Sequence, residues 1–186
     1  MTKKNSLTLF FLLCAFSFSY GQIPPPSADD IMKEAYATAS KENKKVLIMF
    51  HASWCGWCHK MDSSLNDKSC KKFFDDNFVI RHMVVFESKG KENLENPGAL
   101  DMLTKYKGKD EGIPYWLIFD KSESFLFDSR MPPAASTPDA KPKNTGCPAS
   151  KEEVDYFIDV LKKTTSLKGD QLEIIRKRFR KNDING

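Results

Sequence analysis

The sequence predicts one α/β domain in three layers, a central mixed sheet with helices on both faces, and a further helix added at the C-terminal end. Three observations carry this. Apolar runs of strand length alternate with stretches of helical periodicity in the first half of the chain. Two strand-like runs come late, Tyr115 to Asp120 and Phe125 to Asp128, joined by a turn, so a hairpin makes the sheet mixed. The stretch 170–181 sets Leu172, Ile175 and Phe179 on one stripe, which marks the added helix.

Taken from the beginning, Lys3 and Lys4 precede an almost wholly apolar run from Leu7 to Phe18. Ser19 and Gly21 then supply small residues at the −3 and −1 positions of a cut before Gln22. This is the layout of a secretory signal peptide over residues 1–21, too short to span a bilayer, which takes about 20 apolar residues. Bulky Leu13 argues against lipid attachment at Cys14. Residues 22–27, with successive prolines, read as an extended linker, and 28–186 as a single domain. No other stretch is apolar and long enough to enter a membrane stably once the leader is removed.

Ser27 caps a helix running from Ala28 to about Glu42, with Asp29 and Asp30 in its first turn. Val46 to Phe50 is a continuous apolar run, the pattern of a strand buried on both faces. A helix starts near Cys55 and breaks around Asn66 and Asp67, and a second helical piece carries Cys70, Phe73 and Phe74. Phe78 to Phe86 reads as a strand, Ser88 to Gly98 as polar loop, and Ala99 to Tyr106 as a short helix. Residues 129–149 are rich in Pro, Ala, Ser, Thr and Lys and read as an inserted, mobile loop. Ser150 with Glu153 forms a capping-box pattern ahead of a helix whose apolar face is Val154, Phe157, Ile158 and Leu161.

Charge is mild. Without Lys3 and Lys4 the 29 basic and 25 acidic residues become 27 and 25, which gives no reason to expect nucleic acid as a partner. The domain can bury a core without covalent staples, so its cysteines are not needed simply to hold it folded. An exported chain also meets an environment where disulfides persist, the periplasm first and the extracellular space as the alternative.

The informative segment is Ser53-Trp54-Cys55-Gly56-Trp57-Cys58-His59. Two cysteines three apart at a helix start can close a small disulfide or open to a dithiol. Backbone N–H groups there favour a thiolate on the first, so Cys55 is the natural nucleophile and Cys58, one turn deeper, the resolving thiol. Gly56 leaves the approach to Cys55 open. Trp54 and Trp57 offer a flat apolar rim to a polypeptide substrate.

The strand Val46–Phe50, then Trp54-Cys55-Gly56-Trp57-Cys58, then Gly112-Ile113-Pro114 before an apolar strand, resembles the thioredoxin superfamily. The resemblance covers about Lys44 to Lys163. It implies a thioredoxin-like fold and exchange of disulfides with protein substrates. It makes Pro114 a cis proline facing the disulfide, and Ile113 the residue that pairs with substrate backbone. It calls for no bound cofactor and no metal, and for a redox partner protein that supplies or takes electrons. This sequence departs from the commonest pattern at two points. Trp57 stands where proline often precedes the second cysteine. Met49 stands where many members carry a buried acid, leaving Glu87 and His59 as the replacements that could serve Cys58 as base. The direction of the reaction is therefore not carried over.

Rival readings exist. Cys55-Gly56-Trp57-Cys58-His59 fits the attachment pattern of c-type haem, but a cytochrome would be mainly helical. Cys55, Cys58 and His59 lack the second ligand pair of a typical zinc site. A redox-inert binding module could keep the same fold. Cys70 reads as a small buried side chain or as one half of a Cys70–Cys147 disulfide anchoring the insert; Cys147 could also exchange with the active pair. His51 and His82 belong to strand patterns, Trp116 and Phe119 to the core. The basic cluster Arg176, Lys177, Arg178, Arg180 and Lys181 reads as a solvated helix face.

Overall fold

The structure, a computed structural model, describes residues 24–183; the leader 1–21 and the start of the linker lie outside the described residues. Helix α1 spans Ala28–Glu42, and the Ser27 hydroxyl accepts from the Asp30 N–H at its start. Strand β1 is Lys45–His51, helix α2 Gly56–Leu65, helix α3 Lys71–Asn77 and strand β2 Phe78–Val84. Helix α4 is Ala99–Lys105, and strands β3 and β4 are Tyr115–Phe119 and Phe125–Asp128. Strands β5 (Arg130–Met131) and β6 (Lys143–Asn144) precede helices α5 (Lys151–Thr164) and α6 (Gly169–Arg180).

The main sheet has the order β2-β1-β3-β4. Strand β1 pairs parallel with β2 and antiparallel with β3, which pairs antiparallel with β4, so the sheet is mixed. Successive side chains of a strand point to opposite faces, and β1 divides accordingly. Leu47 and Met49 join Trp116 and Ile118 in a core with α2, α3, α5 and α6. Val46, Ile48 and Phe50 join Tyr115 and Leu117 in a second core with α1 and α4. Burial on both faces explains why β1 carries no polar alternation.

The added helix α6 is seated by the stripe read from the sequence. Phe179 meets Phe157 at 4.9 Å between ring centroids and Phe74 at 6.2 Å. Burying one such ring contributes about 1.5–3 kcal/mol. Its basic cluster divides: Lys177 and Lys181 are exposed, as a solvated face requires, whereas the arginines reach other elements. Arg178 Nε donates to Asp67 at 2.7 Å with its side chain only 14% exposed, Arg176 pairs with Asp155, and Arg180 donates to the Ala149 carbonyl. Charge alone could not show which of these arginines would find carboxylates on other elements.

The insert 129–149 keeps turns and coil from 132 to 142, as a loop requires, but its roots are zipped together, with Arg130 opposite Asn144 and Met131 opposite Lys143. Thr145 N donates to Ser129 O at 2.8 Å, and the buried Trp116 indole donates to Gly146 O at 3.0 Å. A two-residue ladder made largely of polar residues has no apolar period, so the pattern that finds strands cannot find it.

Candidate active site

Strand β1 delivers the chain to the redox segment. Beyond His51 the backbone turns, and Cys55 becomes the N-cap of α2: its φ and ψ are −79° and 99°, and its Sγ accepts from the Cys58 N–H at 3.1 Å. A sulfur in this position occupies the place of a capping oxygen, at the positive end of the helix. Cys55 and Cys58 are joined as a disulfide with Cα atoms 5.2 Å apart. Cys58 is fully buried and Cys55 is 3% exposed, both against Ala52 and Ile113. The sequence expects a more open Cys55; in the disulfide form the covering residue is Ile113, whose carbonyl oxygen lies 3.6 Å from the Cys55 sulfur.

The approach to the pair is apolar and exposed. Trp54 is 57% and Trp57 42% exposed, and the Lys60 ammonium lies 4.1 Å from the Trp57 ring centroid. A side chain at Gly56 would point into open space, so its absence leaves this face unobstructed. Trp54 is fixed from below by its indole N–H, which donates to Phe86 O at 2.7 Å.

Glu87 holds Ser53, two residues before Cys55. The Ser53 N–H and hydroxyl donate to its two carboxylate oxygens at 2.6 and 2.7 Å, and these bonds hold its carboxyl below the usual range. His59 likewise bonds Ser53 O through its ring at 3.0 Å. Both groups considered as bases for Cys58 are thus tied to the redox loop, and Met49 is packed in the apolar core. His51 and His82, read as isolated, are neighbours with ring centroids 5.0 Å apart, and His82 pairs with Asp62 at 2.8 Å. Burial, and then the charge on His82, push the His51 imidazole pKa down.

Facing the pair, the Ile113–Pro114 peptide bond is cis, and the segment leads directly into β3. A cleft of about 220 Å³ lies between Trp57, Ile113, Pro114, Asn144 and Cys147. Sequence reasoning missed Asn144, which sits in a stretch with no motif; Gly146 two residues on, in the left-handed region at φ 52°, was its nearest local signal.

The second disulfide considered, Cys70–Cys147, is not formed: both are buried free thiols. Each sulfur has its own polar partner. Cys70 donates to Ser64 O at 3.2 Å, whereas Cys147 accepts from the Asn182 amide at 3.3 Å. Asn182 also donates to the Ser64 hydroxyl, at 3.0 Å, and so links the two surroundings without linking the sulfurs. The haem reading expects a mainly helical chain, whereas the motif here follows the central strand of a four-stranded mixed sheet. Among the described residues no group of three or more His, Cys, Asp and Glu side chains is arranged to hold a metal.

A mixed sheet between two helical layers, with a Cys-x-x-Cys disulfide capping α2 and a cis proline opposite, defines a thioredoxin-fold protein with a redox-type cysteine pair. The thioredoxin-like family model matches residues 29–121, half of the 186-residue chain, and the chain belongs to that family. No curated protein matches it. Similar solved structures include a disulphide isomerase from Xylella fastidiosa Temecula1, 21% identical, covering 61% of this chain and 80% of that one with a TM-score of 0.46. The C-terminal domain of Neisseria meningitidis DsbD in the oxidised form is 19% identical, covering 75% and 98%, with a TM-score of 0.43. A thioredoxin-fold protein from Helicobacter pylori is 15% identical, covering 81% and 96%, with a TM-score of 0.39.

Proposed function

We propose that this protein is an exported thiol–disulfide oxidoreductase that exchanges disulfides with polypeptide substrates through Cys55 and Cys58. The observation that carries the reading is the Cys55–Cys58 disulfide at the N-cap of α2, beside two exposed tryptophans. The Cys58 N–H already bonded to the Cys55 sulfur would stabilise a thiolate there once the pair is reduced.

In the reducing direction the Cys55 thiolate attacks a substrate disulfide. One S–S bond forms, another breaks, and a substrate thiolate leaves. Cys58, having given up its proton, attacks the Cys55 sulfur. The internal disulfide forms and the second substrate thiolate departs, carrying two electrons in all to the substrate. A dithiol partner protein returns them; the reverse sequence would oxidise a substrate dithiol. The leader-like residues 1–21 support export, with the periplasm as compartment.

The test is dithiothreitol-driven reduction of insulin. Wild-type protein should hasten precipitation of the reduced chains, and Cys55→Ser should not exceed the uncatalysed rate. An inert wild type would assign the fold to a redox-inert binding module instead.

A further inference from the structure

We infer that Asn144 is a positioning residue for the substrate-facing segment, which makes the root of the insert part of the machinery that recognises polypeptide main chain. The inference rests on the oxidoreductase reading for its substrate and on geometry for its residue. The Asn144 side-chain nitrogen lies 3.1 Å from Glu111 O, 3.1 Å from Gly112 O and 3.2 Å from Pro114 O. Its two N–H groups are thus shared among three carbonyls of one short stretch. The carbonyl between them that Asn144 does not take, that of Ile113, is the one beside the Cys55 sulfur at 3.6 Å. By drawing its neighbours the other way, Asn144 sets which peptide group of residues 111–114 faces the redox pair.

The clamp is itself held. The Gly146 N–H donates to the Asn144 side-chain oxygen at 2.9 Å, which fixes the orientation of the amide. Asn144 stands opposite Arg130 in the β5–β6 ladder, and Gly146 O accepts from the buried Trp116 indole. Gly146 also lets the backbone come close: a Cβ there would lie 3.3 Å from Pro114 O, at a φ of 52° that side chains disfavour. A run of contacts therefore leads from the core, through the insert root, to the loop opposite Cys55. Residues 111–114 lie in neither α4 nor β3, so no ladder fixes their carbonyls. Strand addition needs such groups held in one orientation before the substrate arrives.

The test compares wild type with Asn144→Ala and Asn144→Asp. Asp keeps the shape but puts one carboxylate oxygen in place of the NH2, facing three carbonyls, so it should be the more damaging. The readout is the ratio of kcat/KM for insulin to that for hydroxyethyl disulfide, which has no main chain to pair. The ratio should fall about tenfold in Asn144→Ala, the loss expected from one or two hydrogen bonds, and further in Asn144→Asp. Backbone amide exchange across residues 111–115 should rise in both variants while exchange in α2 stays as in wild type. A parallel fall for both disulfides, with exchange raised throughout the domain, would reduce Asn144 to support of the fold and overturn the inference, as would unchanged exchange at 111–115. If wild type reduces neither disulfide, the oxidoreductase reading fails on its own, and the exchange data still decide whether Asn144 positions the loop.

Discussion

Helix α2 lies among two pairs of cysteines, and the two pairs differ in almost every respect. At its start Cys55 and Cys58 are bonded to each other beneath exposed tryptophans. Cys70, which donates to the Ser64 carbonyl near the finish of α2, and Cys147, which lines the cleft beside Trp57 and Pro114 and accepts from Asn182, are buried as separate thiols. The side chain is the same, so backbone position and solvation make the difference. A separation of three around a helix start brings the Cα atoms to 5.2 Å, inside the bridging range of about 4.4–6.8 Å. Helix N–H groups there favour thiolate. Near the finish of α2 the Ser64 carbonyl accepts a hydrogen bond from the Cys70 thiol, and although Cys70 stands at the N-cap of α3 its sulfur makes no capping bond, so no helix N–H holds a thiolate there. Burial raises the pKa of the Cys70 thiol and pushes that of Cys147 up to about 12. The same side chain is thus bonded in one pair and a separate thiol with a raised pKa in the other.

The largest effect that could break this contrast is a change in what becomes covalently trapped. Cys58→Ser should lose multiple turnover entirely and accumulate mixed disulfides with exported proteins, seen as larger bands on non-reducing gels that reductant removes. Cys55→Ser should trap far less, because the thiol it retains is fully buried. Cys70→Ser should trap nothing. If Cys70→Ser traps as Cys58→Ser does, the two pairs are not chemically distinct.

Alkylation gives a smaller, graded measure. In reduced, folded protein near neutral pH, iodoacetamide should label Cys55 first. A thiol pushed up to about 12 holds about a thousandfold less thiolate than one ionising at the ordinary value of 9.0, before burial slows access further. Cys147 should therefore remain unlabelled until denaturant is added, when all the thiols should react at similar rates. Early labelling of Cys147 by mass spectrometry would remove its claim to be inert.

The two pairs are not equally legible in the sequence. Three-residue spacing after an apolar run identifies Cys55 and Cys58, because that pattern is local and the helix start follows from it. Pro114 is singled out by what the family resemblance implies for Gly112-Ile113-Pro114 ahead of a strand. The main elements followed from periodicity, since a sheet buried on both faces demands continuous apolar strands. Asn144 and Asn182 were not legible: each acts through side-chain hydrogen bonds to residues more than 25 positions away in sequence. The state of Cys70 and Cys147 was left open for the same reason, since only packing decides whether two sulfurs meet. The arginines of α6 show the limit of composition, as a run of charge looks alike whether it faces water or reaches Asp67 and Asp155.

The smallest effect concerns stability in alkali, and it isolates Cys147. An ordinary cysteine ionises near 9, and in the folded protein Cys147 is held protonated to about 12. Between those values the unfolded chain sheds a proton that the folded chain keeps, so rising pH favours unfolding. The contribution is whole below about 9 and is lost progressively up to about 12. One unit above the ordinary value the loss is about 1.4 kcal/mol. Tyr36, Tyr115 and Tyr156, whose pKa values burial also raises, act in the same sense, so alkaline instability alone would not identify the thiol. Cys147→Ser removes the titration while leaving an oxygen to accept from Asn182. Urea unfolding of wild type and variant at pH 8 and pH 10 should show the gap between them narrowing or reversing by about 1.4 kcal/mol in the variant's favour. The tyrosines cancel in that difference. Curves that fall in parallel would mean that Cys147 ionises as readily folded as unfolded, and the contrast between the two pairs would then rest on access alone.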